Sequence, residues 1–131
     1  MIPRFRAWNK STELMDEAIL IDFYNEKIGI LYANPISQGE SVKTYSFDEV
    51  ILMQSTGLQD KNGIEIFEGD ILLGHSVYPE CNIFESKLIG EVYYSNRGTW
   101  DCYSYILGGF NEQIEIIGNI YENPELLEVE E

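Results

Sequence analysis

Leu52-Met53-Gln54-Ser55-Thr56-Gly57-Leu58-Gln59-Asp60-Lys61-Asn62-Gly63-Ile64-Glu65-Ile66-Phe67-Glu68-Gly69-Asp70-Ile71 sets two apolar segments on either side of a polar turn. Asn-Gly between apolar segments is a strong hairpin signal, because both residues tolerate positive φ. Residues 64–67 then continue as a strand, Glu68-Gly69-Asp70 makes a tight bend, and residues 71–73 form a further short strand. Gly57, Gly63 and Gly69 each lie beside a strand end, where glycine supplies positive φ or close backbone approach. Asn62, Gly63, Gly69 and Asp70 are therefore structural turn residues, with Asp70 capping local amides. Asp60, Lys61 and Glu65 read as exposed charges of small weight, since exposed ion pairs contribute about 0–1 kcal/mol.

The same reading extends outward in both directions. Residues 4–8 are a short aromatic strand and 9–12 a polar turn. Residues 18–23 and 28–32 flank Asn25-Glu26-Lys27 as a hairpin. The alternative there is a helix from Thr12, because Leu14, Ala18 and Ile21 fall at near-helical spacing. Residues 34–43, with Pro35 and Gly39, read as a loop or linker. Ser46-Phe47-Asp48-Glu49 fits a capping box and predicts one helical turn before a strand over 50–53.

Beyond an exposed loop at 75–86, residues 88–94 and 99–106 flank the hairpin loop Ser95-Asn96-Arg97-Gly98. Gly108-Gly109 opens a turn, residues 113–121 form the last strand, and residues 125–131 form an acidic tail docked through Leu126 and Leu127. Short strands joined by Gly and Asn turns predict a mainly β fold, with α+β as the alternative. The expected form is a small antiparallel, partly open SH3-like barrel with an added N-terminal hairpin and short helical turns. Residues 1–48 make the N-terminal strand and hairpin subunit. Residues 49–131 make the barrel-like domain with its tail, and the two together are expected to be one compact unit.

A chain of 131 residues buries about two-thirds of its unfolded surface and needs no disulfide or metal to fold. Eight Lys and Arg against 23 Asp and Glu give a net charge of −15. Such a charge repels nucleic-acid phosphates and anionic lipid. It suits a basic protein partner, or a surface that imitates nucleic acid. The first residues lack the apolar core of a signal peptide, and no stretch approaches the ~20 apolar residues of a membrane span. The expected location is cytoplasmic, with no membrane contact. Cys81 and Cys102 then read as buried thiols of a reducing compartment.

Four carboxylates, Asp60, Glu65, Glu68 and Asp70, cluster in the quoted stretch. Such groups serve acid–base chemistry or bind hard cations. The spacing after Asp60-x-Asn62 departs from a calcium loop, however, because Gly63 comes too early. His75, the single histidine, has no sequence signature of a nucleophilic triad around it. No phosphate-binding glycine loop occurs. No catalytic, cofactor or metal residue is assigned. Arg4, Arg6 and Lys10, interleaved with Phe5 and Trp8, form the basic cluster. Phe5 and Trp8 read as core, so nucleic-acid binding is not expected. Tyr93, Tyr103 and Tyr105 are the candidate protein interface, because tyrosine is enriched at interfaces. Tyr103 and Tyr105 are expected on one strand face, and Trp100 and Cys102 on the other.

Three stretches carry a family resemblance: Phe5-Arg6-Ala7-Trp8, the quoted block, and Ile116-Ile117-Gly118-Asn119-Ile120-Tyr121-Glu122-Asn123-Pro124-Glu125-Leu126-Leu127. In order and spacing the chain resembles the YopX-like family of phage and prophage proteins. Ser55 and Phe67 stand where the family commonly has an aromatic and a tyrosine. The resemblance implies a bacterial cytoplasm during phage carriage, and implies no activity, cofactor or catalytic residue. The expected function is a non-enzymatic accessory protein that binds a protein or itself. An acidic nucleic-acid mimic that occupies a basic DNA-binding protein is the second reading. An enzyme built on Asp70, Glu68 or His75 is the third.

Overall fold

β-Branched and aromatic residues alternate with polar ones along much of the chain, which favours half-buried strands over helices. The computed structural model describes residues 3–34, 36, 39–75, 87–102, 105–109 and 114–127. Among these, eleven antiparallel strands are joined by turns and short 3-10 segments, and no helix is long and apolar enough to cross a membrane. The chain divides into two compact units, Met1–Gln54 and Ser55–Glu131. The boundary expected at 48/49 falls a few residues earlier, just before a strand that runs through the division.

The first unit holds β1 (Phe5–Asn9), β2 (Leu14–Asp22), β3 (Lys27–Asn34), β4 (Gly39–Ser46) and the start of β5 (Val50–Gln59). Their order is β4-β3-β2-β1-β5. Ala7 lies opposite Asp16 on one side and Leu52 on the other. Its core is Ala7, Ile28, Ile30 and Val50, backed by Ala18, Ile21, Tyr45, Phe47 and Leu52. Ala18 and Ile21 are an odd number of residues apart, so a regular strand would point them to opposite faces. A register shift between Ala18 and Leu20 resolves this, leaving Ala18 opposite Ile30 and Ile21 opposite Ile28. One extra residue in a strand flips the facing of everything after it.

Local polar groups close the turns. Asn9 Oδ1 accepts the amides of Ser11 and Thr12 at 2.9 and 3.1 Å in the turn after β1, and residues 14–22 form a strand where a helix was the alternative. Asp22 Oδ1 does the same for Tyr24 and Asn25, at 3.0 Å each. At the capping-box sequence, the Ser46 amide donates to Glu49 Oε1 at 2.9 Å and the Glu49 amide to Ser46 O at 3.0 Å. The side-chain bond of a capping box therefore forms, but it closes a β-turn between β4 and β5 instead of opening a helix. The expected loop over 34–43 is also corrected. β4 begins at Gly39 and pairs with β3 along its whole length. This edge strand is mostly polar, so it lacks the alternation that marks a half-buried strand.

In the second unit the end of β5 pairs with β6 (Glu65–Phe67). Beside them is a sheet in the order β10-β9-β8-β7-β11. Its strands are β7 (Asp70–His75), β8 (Lys87–Tyr94), β9 (Trp100–Cys102), β10 (Tyr105–Ile106) and β11 (Glu115–Asn119). Leu107–Gly109 and Pro124–Leu127 form 3-10 turns. Ile66, Leu72, Val92, Cys102, Leu107 and Ile114 are the buried core, with Leu58, Trp100 and Ile116 packed against it. Burying each large side chain is worth about 1.5–3 kcal/mol. The mainly β, antiparallel class is thus observed, as two sheets with no closed barrel among the described residues. The single strand expected over 99–106 is two strands. Tyr105 lies opposite Cys102 and Ile106 opposite Asp101, so the chain reverses between them.

Candidate functional site

Two hairpin loops of the second unit share one design. Each has three residues, Lys61-Asn62-Gly63 and Asn96-Arg97-Gly98, with the glycine in the left-handed region at φ +79° and +80°. In each, the glycine amide donates to the carbonyl three residues back, Asp60 O or Ser95 O, at 3.0 Å. In each, one side-chain oxygen of the residue before the loop accepts two amides. Asp60 Oδ1 takes those of Asn62 and Ile64 at 2.9 and 3.0 Å. Ser95 Oγ takes those of Arg97 and Thr99, both at 3.3 Å.

Asp60 was expected at the surface, and the structure corrects this: it is 4% exposed. Its second oxygen accepts the Ile116 amide of β11 at 3.0 Å. Burial pushes its pKa up, but the amides of Ile116, Ile64 and Asn62 outweigh burial and hold it below the ordinary 3.8. Glu65 is half-buried and accepts a hydrogen bond from the Ser55 hydroxyl. Asp70 is buried and accepts the Phe67 amide at 2.8 Å. Gly69, at φ +87°, donates to Val92 O and accepts from Ile120 N, both at 2.9 Å. Asp60 and Asp70 thus accept backbone amides, and Glu65 a side-chain hydroxyl. Among the described residues no group of three His, Cys, Asp or Glu is placed to hold a metal ion.

The β8–β9 hairpin has a different character. Tyr93 and Tyr94 are 38% and 57% exposed. Tyr94 lies opposite Trp100 and meets it edge to face, with centroids 4.9 Å apart. Tyr93 lies opposite Asp101, whose carboxylate is 1% exposed. Thr99 Oγ1 donates to Asp101 Oδ1 and Arg97 Nη2 to Oδ2, each at 2.8 Å. The Thr99 hydroxyl bond holds the Asp101 pKa below the ordinary carboxylate value, against burial, with Arg97 assisting. Arg97 itself stays 60% exposed. Tyr93, Tyr94, Ser95, Asn96, Arg97 and Asp101 line an open cleft of about 380 Å³. The result is two exposed tyrosines at the end of β8, one on each face of the strand, beside a loop held by the bonds of Ser95, Arg97, Thr99 and Asp101. Of the residues expected at an interface, Tyr93 is here. Tyr103 lies outside the described residues, as does the side chain of Tyr105. Arg97 and Asp101 were not singled out from the sequence, although Ser-Asn-Arg-Gly-Thr-x-Asp is a readable signal once the loop type is known.

His75 belongs to β7, but its side chain, like Cys81, lies outside the described residues. Trp8 is buried, Arg4 pairs with Glu17 at 3.3 Å, and Lys10 donates to Asp48 O at 3.0 Å. The basic cluster is thus spent partly on its own unit. Charge is unevenly divided: Met1–Gln54 carries 5 − 8 = −3 and Ser55–Glu131 carries 3 − 15 = −12.

The family model described as YopX protein matches residues 4–128. The crystal structure of protein EF1440 from Enterococcus faecalis is similar at 31% identity and a TM-score of 0.66. That match covers 97% of this chain and 99% of the other. No curated protein matches.

Proposed function

The chain belongs to the YopX protein family, and we propose that it works as a non-enzymatic protein-binding module of a phage or prophage, docking through the β8–β9 hairpin. The observation that carries this is the pairing of exposed Tyr93 and Tyr94 with a rigid support, the Trp100 ring and the Arg97–Asp101–Thr99 bonds. Tyrosine and arginine are the residue types that concentrate binding energy at interfaces. An ordered loop loses little entropy on docking, which favours affinity.

The test compares proteins captured from a bacterial lysate by the wild type and by a Tyr93→Ala/Tyr94→Ala variant, with sedimentation equilibrium run on both. A partner, or a self-associated species, present for the wild type and lost in the folded variant supports the reading. Identical captured proteins and identical association for both would refute it. Self-association has its own structural basis in β4, at the edge of the described sheet, which carries the exposed Val42 opposite the exposed Leu31 of β3. Unpaired strand edges are templates for another strand.

A further inference from the structure

We propose that the partner segment seated on the β8–β9 hairpin is cationic, rich in lysine or arginine, with its charged groups placed on the faces of Tyr93 and Tyr94. This rests on the proposed function and specifies its partner. Charge complementarity supports it. The unit that bears the hairpin carries −12 of the −15 total. A field of that sign draws cations to the surface and repels anions. Glu91 stands two residues before Tyr93 on the same strand, and alternate strand residues share a face. The Pro124–Leu127 turn packs against β8 and adds Glu125. Arg97 is the cation of the hairpin loop, and the buried Asp101 carboxylate at 2.8 Å neutralises it; Lys87 stands at the far end of β8, opposite His75. Tyr93 and Tyr94 are adjacent on β8 and so project to opposite sides of the hairpin, which leaves one exposed ring on each side, in an acidic field. Aromatic faces attract ammonium and guanidinium groups within about 6 Å of the ring centre.

The competing reading takes Arg97 as the receptor for a carboxylate. The two predict opposite responses, so one experiment separates them. The probes are two acetylated and amidated peptides, one alternating lysine with glycine and one alternating glutamate with glycine. Each is titrated against the full chain while backbone amide NMR signals are followed. The expected result is that the lysine peptide shifts the amides of residues 91–101 ahead of other acidic regions. Tyr93→Leu and Tyr94→Leu, which keep apolar bulk, should each weaken it about two- to fivefold, the worth of a cation–π contact. Arg97→Gln keeps a donor toward Asp101 and removes the charge, so lysine-peptide binding should hold or tighten. Raising salt from about 50 to about 200 mM should weaken binding, because exposed charges are then screened.

Preference for the glutamate peptide, lost with Arg97→Gln, would overturn the inference. So would lysine-peptide shifts spread over both units with no effect of the tyrosine variants. If the tyrosine pair is needed to capture a partner whose binding ignores salt, the cationic inference fails and the protein-binding reading stands. If the tyrosine pair is irrelevant to capture, both fail.

Discussion

Replacing Asp60 by Asn should destabilise the protein far more than its place in a polar loop suggests. The wild-type carboxylate accepts three backbone amides, two within its own loop and one from Ile116 in β11. Asparagine keeps one acceptor oxygen for Asn62 and Ile64. Its amide nitrogen then faces the Ile116 N–H, donor against donor. A hydrogen bond to a charged group contributes about 1.5–3 kcal/mol, and a stranded donor costs about 1–3 kcal/mol. Removing a buried charge returns part of this through reduced desolvation. A net loss of about 2–3 kcal/mol follows, or about 8–12 °C in Tm at ~4 °C per kcal/mol for a domain of this size. The loss should also depend on pH. Asp60 titrates below its ordinary value when folded, so its stabilisation is complete above the unfolded pKa near 3.9 and fades as pH falls through the folded pKa. Wild type and variant should therefore differ fully at neutral pH and converge in strong acid. Thermal melts by circular dichroism across pH, with amide exchange at Ile116, are the assay. A Tm drop under about 2 °C, or unchanged exchange at Ile116, would refute the assignment of Asp60 as the tie between the loop and β11.

Other outcomes follow from the same structure. Gly63 lies at φ +79° with open space where a Cβ would project, so Gly63→Val should cost backbone strain alone, about 1–2 kcal/mol, visible in chemical denaturation. Leu72 is fully buried in the second unit's core, and Leu72→Ala should cost about 2–5 kcal/mol through the cavity it leaves. The Cys102 thiol is buried and its pKa is raised to about 11 by burial, with Glu91 adding to it. Alkylation at mildly alkaline pH followed by peptide mass spectrometry should leave Cys102 unmodified in the native protein and modify it in denaturant, because the thiolate is the reactive form. Rapid native labelling would contradict that burial.

The strand-rich class, the hairpin around Asn62-Gly63, the turn at Gly69-Asp70 and the loop Ser95-Asn96-Arg97-Gly98 were legible in the sequence. Their causes are local: side-chain alternation with period two, and turn residues whose backbone preferences do not depend on distant neighbours. Only the tertiary structure decided the rest. β4 hid as a loop because an edge strand need not alternate apolar with polar residues. The strand drawn over 99–106 hid a reversal, since no Asn-Gly pair marks it. Asp60 looked like a surface charge because its third partner, Ile116, is 56 residues away. Asp101 looked like any strand carboxylate because its burial comes from packing, while Thr99 and Arg97 become partners only after the loop closes. A buried carboxylate is defined by the donors that fold around it, and those donors have no fixed spacing in the chain.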